Sequence, residues 1–173
     1  MPATHNLIQT YRPSSSQNTI VFSSIPQTYT DLKVIVSARS TQTGSPRRYI
    51  SVNINGSSSN NTYIRAIAYS TSSWVSDYDP TNSNYGVMSA ASAEANTFGM
   101  GEFYFSNYAN TTDNKAVSFT GGTVPEVNTD HMVGIWGAYR TTNSAITSIT
   151  FAAESGGDFT SETVFSLYGI KNS

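Results

Sequence analysis

The sequence predicts an all-β protein, an antiparallel β-sandwich of about ten strands that closes as a jelly roll. Three observations lead there. Short runs of β-branched and aromatic residues recur along the chain, each closed by a cluster of Ser, Asn, Gly, Pro or Asp. No window of about 11 residues carries a helical stripe. At 173 residues the chain has the length of one domain, 1–173, with residues 1–12 as an N-terminal strand or arm and no linker dividing the rest.

Taken in order, "NLIQTY" is the first strand and "TIVFSSI" follows the "RPSSSQN" break. "DLKVIVSAR" comes after Pro26 and alternates, with Leu32, Val34 and Val36 on one face and Lys33, Ile35 and Ser37 on the other. "RRYISVNIN" ends at Asn55-Gly56, the strongest short hairpin signal in the chain, and "TYIRAIAYS" is expected to return from it across "GSSSNN". Between Ser70 and Ala95 the pattern weakens. There "STSSWVSDYDPTNSNYG" reads as a long loop, "GVMSA" as a short strand and "ASAEAN" as at most one helical turn. Strong patterns resume with "MGEFYFSNYA", "KAVSFTGG", "HMVGIWGAYR", "AITSITFAA" and "TVFSLYGI".

The stretch "DHMVGIWGAYR" holds one of two histidines and one of two tryptophans beside an acid, which raises the question of an active site. Its period answers it. His131, Val133, Ile135, Gly137 and Tyr139 fall on one side, Met132, Gly134, Trp136, Ala138 and Arg140 on the other. Both sides are mainly apolar, so the strand is expected to be covered on both, with glycines admitting a neighbouring backbone or ring. His131 beside Asp130 is then a hydrogen-bonded structural histidine.

Composition narrows the function classes. Hydrophobic residues make up 38% and charged residues only 12%, the balance being largely Ser, Thr and Asn. A typical charged fraction is roughly 25%. The surface is therefore neutral and polar. A formal net charge of −2 gives no basic field for phosphates, which argues against nucleic-acid binding. Eleven Tyr, eight Phe and two Trp oppose disorder. Cysteine is absent, so there is neither a disulfide framework nor a thiolate metal site. The N-terminus lacks the apolar run of a signal peptide and no segment has the length of a membrane span, so synthesis in a cytoplasm and no membrane partner are expected.

A search for chemistry yields no cofactor and no catalytic residue. His5 and His131 stand far apart with no thiol, which matches no zinc spacing. Asp77, Asp79, Asn82 and Asn84 offer oxygen donors for calcium, but the spacing misses the EF-hand pattern and fits an Asx-rich turn. There is no G-x-S-x-G elbow, and nothing selects a carboxylate pair from Glu94, Glu102, Glu126, Glu154 and Glu162. The glycine runs "FGMGEF", "TGGT" and "SGGDF" do not lie between a strand and a helix and read as turns. Sequons at Asn55, Asn60 and Asn110 are expected by chance at this frequency of Asn, Ser and Thr. Trp74, Tyr78 and Tyr85, set among Asn, Asp and Ser, form a candidate carbohydrate platform, or else cover a sandwich end or a subunit contact.

Several blocks together carry a family resemblance: "FSSIPQTYTDLKVIVSARS", "ANTFGMGEFYFSNYANTTDNKAV", "VGIWGAYRTTNSAITSITF" and "GGDFTSETVFSLYGI". They resemble a family of virion structural proteins of tailed phages, of the cyanophage-like kind, in which an I-P-x-T-Y-T-D-L block opens the domain. The residues that carry the likeness are Ile25, Pro26, Tyr29, Asp31 and Leu32, then Phe98, Asn107, Tyr108 and Ala109, then Ile146, Thr147, Ile149, Leu167, Tyr168, Gly169 and Ile170. The resemblance covers nearly the whole chain in the same order. It implies a β-sandwich displayed on a virion, as a head decoration (cement) protein or part of a fibre, and it implies no catalytic residue.

The chain has no shaft, no collagen-like or coiled-coil repeat and no separate anchoring domain, unlike long fibre proteins of that family, which favours a decoration protein. The partners this implies are the major capsid protein and copies of the chain itself, as a homotrimer, and the location is the virion. The alternative is a fibre or receptor-binding module that recognises host surface glycans. Contact candidates are His5, Leu7 and Tyr11 in the N-terminal arm, which would add an edge strand or reach a neighbour, and the segment with Trp74, Tyr78 and Tyr85.

Overall fold

Burial alternates residue by residue along most strands, as a sheet covered on one face requires. The computed structural model describes residues 4–58, 61–69, 73–80, 84–123, 131–141 and 143–171, and the side chains at 61, 73, 84 and 85 lie outside this description. The described residues form twelve strands: β1 (His5–Tyr11), β2 (Thr19–Phe22), β3 (Asp31–Ala38), β4 (Arg47–Ile54), β5 (Asn61–Tyr69), β6 (Ser73–Asp79), β7 (Asn84–Ser89), β8 (Gly99–Ser106), β9 (Lys115–Thr123), β10 (Met132–Arg140), β11 (Ile149–Ala153) and β12 (Val164–Ile170). They make an eight-stranded sheet, β1-β12-β3-β8-β9-β10-β5-β6, and a four-stranded sheet, β2-β11-β4-β7.

Eight of these strands have jelly-roll pairing. β1-β12-β3-β8 in one sheet and β2-β11-β4-β7 in the other interleave early with late strands, all antiparallel. The other four are two hairpins, β5-β6 inserted between β4 and β7, and β9-β10 inserted between β8 and β11. Joined through the β10–β5 ladder, they widen the larger sheet beyond β8. The core between the sheets is aromatic. Phe103 of β8 lies with its ring centroid 4.6 Å from Phe119 of β9 and 5.0 Å from Phe151 of β11, and Phe119 meets Trp136 of β10 edge-on at 5.2 Å. Such ring pairs add about 0.5–1.5 kcal/mol each beyond the area they bury.

Four expectations change. Asn55 and Gly56 do make the tight turn, with φ of 52° and 73°, and Ile54 bridges Ser57. The chain does not return along β4, however, because β11 and β7 occupy both of its edges, and β5 joins the other sheet between β10 and β6. The segment expected to be a long loop contains a strand, β6, paired with β5 from Ser73 to Asp79. Its alternation is hidden because inward positions include acids, and Asp77 is acceptable there because Arg65 of β5 holds it through Nε–Oδ1 and Nη2–Oδ2 contacts of 2.6 and 2.5 Å.

The "ASAEAN" segment forms turns rather than a helical turn, organised by Arg39, whose guanidinium donates to the carbonyls of Ala93, Glu94 and Thr97 at 3.1, 2.8 and 2.8 Å. β10 is covered on one side only. Met132, Gly134, Trp136, Ala138 and Arg140 are buried, while Val133, Ile135 and Tyr139 face outward and exposed.

Candidate interaction surface

The outer face of β9-β10-β5-β6 collects side chains that a lone sandwich would not be expected to expose. Cross-strand register sets them in rows: Gly122, Val133, Ala68 and Trp74 in one, Thr120, Ile135, Ala66 and Ser76 in the next, Ser118, Gly137, Ile64 and Tyr78 in the third. Trp74 is 79% exposed, Ile64 63%, Tyr78 62%, and Val133 and Ile135 57% each. None of these outward positions carries a charge. Further along the same face, Lys33 of β3 and Glu102 of β8 neutralise each other at 3.0 Å.

Beside this face runs an open groove of about 650 Å³. Gly101, Gly121 and Gly122 form its floor, and Ile35, Met100 and Val133 stand along it. Gly101 and Gly121 are inward positions of their strands, where a Cβ would overlap the Phe119 ring, so these glycines make room for that ring in the core. On the outer face Gly122 is the floor position without a side chain, between Met100 and Val133.

The aromatic candidates separate. Trp74 and Tyr78 point outward from β6, an edge strand of the large sheet. Tyr85 belongs to β7 at the edge of the small sheet, and its side chain lies outside the described residues. The three do not share one strand or one loop. The N-terminal arm takes the first of its two expected routes, pairing antiparallel with β12 of its own sheet. His5 and Leu7 are exposed along it, while Tyr11 packs against the core and accepts a hydrogen bond from Gln17 Nε2 at 3.0 Å.

Of the four oxygen donors weighed for calcium, Asp77 and Asp79 lie on β6 rather than in a turn. Asp77 is taken by Arg65, Asn82 lies outside the described residues, and so does the Asn84 side chain. Of the sequons, Asn55 donates its amide to Ala145 O at 2.8 Å and accepts from the backbone N–H of Thr147 and Ser148. Asn110 accepts from the N–H groups of Thr112 and Asp113, and Asn60 lies outside the described residues. His131 is half-buried at the entrance of β10, and its neighbour Asp130 lies outside the described residues.

Around Arg65 the two sheets are joined by charge and π-faces. Its guanidinium lies 5.6 Å from the Tyr49 ring of β4 and 5.4 Å from the Tyr63 ring of β5, and Arg47 lies 4.7 Å from the Tyr69 ring. Burial lowers the Arg65 pKa, but the hydrogen bond to Asp77 and the electrostatic attraction of Tyr49, Tyr63 and Asp77 together outweigh it, and the net shift is upward. Burial, followed by the hydrogen bond between its hydroxyl and that of Tyr49, pushes Tyr69 up to about 12. These groups are engaged with one another, which makes the cluster a clamp between elements.

Many of the residues that carry the family resemblance converge at one corner, while Phe98 precedes the opposite end of β8. Ile25 N–H donates to Thr147 O at 3.0 Å, Ile146 N–H to Tyr108 O at 2.8 Å, and the Tyr108 hydroxyl to Pro26 O. Asp31 accepts from the Tyr104 hydroxyl and the Asn107 N–H, both at 2.7 Å. Tyr29 lies flat over Gly169, where a Cβ would overlap its ring. Their work is architectural.

Sequence reasoning missed Ile64, Gly122, Val133, Ile135 and Gly137 as surface candidates. The signal was present in β10, whose two apolar sides suggested cover on both. No family model, no curated protein and no solved structure matches this chain.

Proposed function

We propose that the protein is a non-enzymatic structural protein of a tailed-phage virion, a decoration or cement protein that binds the outer head surface and reinforces contacts between major capsid subunits. The observation that carries this reading is the uncharged outer face of β9-β10-β5-β6, built from hairpins added to a jelly roll. Broad, apolar, charge-free surface suits repeated contact between copies in a lattice, because it requires no buried charge to be desolvated. Many modest contacts then act together through effective concentration. The resemblance of the corner residues to phage virion proteins points the same way.

The test is immunogold electron microscopy of purified particles with antibody against the recombinant protein. Gold over the heads supports decoration. Particles that lack both label and protein overturn the virion reading.

A second reading has its own observation, the exposure of Trp74 and Tyr78 on one edge strand with Ser76 between them. Exposed rings beside hydroxyls suit sugar stacking, as in a fibre or receptor-binding module. Gold at the tail tip, together with glycan-array binding lost in Trp74→Ala, would establish it.

A further inference from the structure

We propose that the outer face of β9-β10-β5-β6 is occupied by a second copy of the same chain, in a two-fold, face-to-face dimer. The inference goes beyond the virion reading and does not depend on it.

The first argument is shape. An axis parallel to the strands and midway between β10 and β5 carries β5 over β10 of the partner, and β6 over β9. Because rows run straight across the ladders, each residue falls opposite its mirror position in the same row. Trp74 then lies over Gly122, beside the trough floored by glycine. Ile64 lies over Gly137, where a Cβ would find nothing within 4 Å. Ile135 falls over Ala66, and Tyr78 over Ser118. Large residues meet small ones at each of these positions, and two-fold symmetry repeats every contact. A mutual tilt of about 30°, normal for packed sheets, displaces the central rows little.

The second argument is area. Four strands spaced about 4.8 Å apart, each some nine residues long at about 3.4 Å per residue, present a face of roughly 20 by 30 Å. Side-chain relief brings its accessible area to the order of the ~800 Å² per partner that stable complexes bury. The third argument is charge, since a face with no ionised group meets its own copy without repulsion.

Sedimentation equilibrium on the whole chain between about 1 and 100 µM tests this. Wild type is expected to be a dimer. Gly137→Val adds its side chain at a position where a Cβ meets nothing within 4 Å, so it is expected to keep the wild-type melting temperature and to raise the dimer dissociation constant at least tenfold. Adding Ile64→Ala to Gly137→Val moves the knob to the opposite side of the same contact and is expected to restore dimerisation.

The proposal is overturned by a wild-type monomer at the highest concentration, by a Gly137→Val variant that dimerises like wild type, or by a double variant as monomeric as the single one. A wild-type monomer that instead binds capsid subunits or glycan through Trp74 assigns the face to that other occupant. A wild-type trimer would also exclude the two-fold arrangement.

Discussion

Asp31 fixes a corner of the sandwich with two hydrogen bonds, one from the Tyr104 hydroxyl and one from the Asn107 N–H. Burial, then the bond to Asp31, pushes the Tyr104 pKa from 10.0 to about 12. The folded protein therefore holds this proton more tightly than the unfolded chain does. Its contribution is complete below pH 10 and is lost as pH rises through about 12. Urea midpoints should thus hold steady up to pH 10 and then fall, with a shallower fall in Tyr104→Phe. At neutral pH the same substitution leaves the buried carboxylate one donor short and should cost about 1–3 kcal/mol. Gly169→Ala pushes the Tyr29 ring off the end of β12 and should lose about 1–3 kcal/mol through overpacking, measured by the same titration.

At the scale of elements, β6 shows why its segment resembled a loop. An edge strand with Asp77 and Asp79 among its inward positions violates the alternation that marks a strand, and only the Arg65 side chain of the neighbouring strand makes Asp77 acceptable there. Arg65→Ala removes a charge-assisted pair of bonds as well as a ring contact to Tyr49, and should cost about 1.5–3 kcal/mol. Hydrogen exchange should then show faster exchange at β6 than at β10, which remains paired on both edges. β10 was legible as a strand from its strict alternation, but its two apolar sides suggested cover on both, and the structure covers only one. Alternation separates the two faces of a strand without saying which of them the rest of the chain covers.

For the whole molecule, the added hairpins have a consequence in solution. An interface without ionised groups should keep its dissociation constant nearly unchanged between about 0.1 and 1 M salt, whereas one held by ion pairs weakens as the Debye length contracts. Sedimentation at the two salt concentrations distinguishes them. The single core that runs between both sheets includes residues from β2 at one end of the chain and β12 at the other, so truncating either end should abolish cooperative unfolding rather than shorten one element.

The sequence alone determined the all-β class, the sandwich, most strand positions and the Asn55-Gly56 turn, because alternation and positive-φ residues are local properties written within a few neighbours. Tertiary structure decided what depends on distant pairing. Which strand β5 joins, the inward acid that Arg65 neutralises, and the meeting of Pro26, Asp31, Tyr108 and Gly169 at one corner all follow from ladders between residues far apart in sequence. The candidate surface belongs to that second group. Trp74, Ile64 and Val133 come from three strands, and they form one face only because register sets their rows side by side.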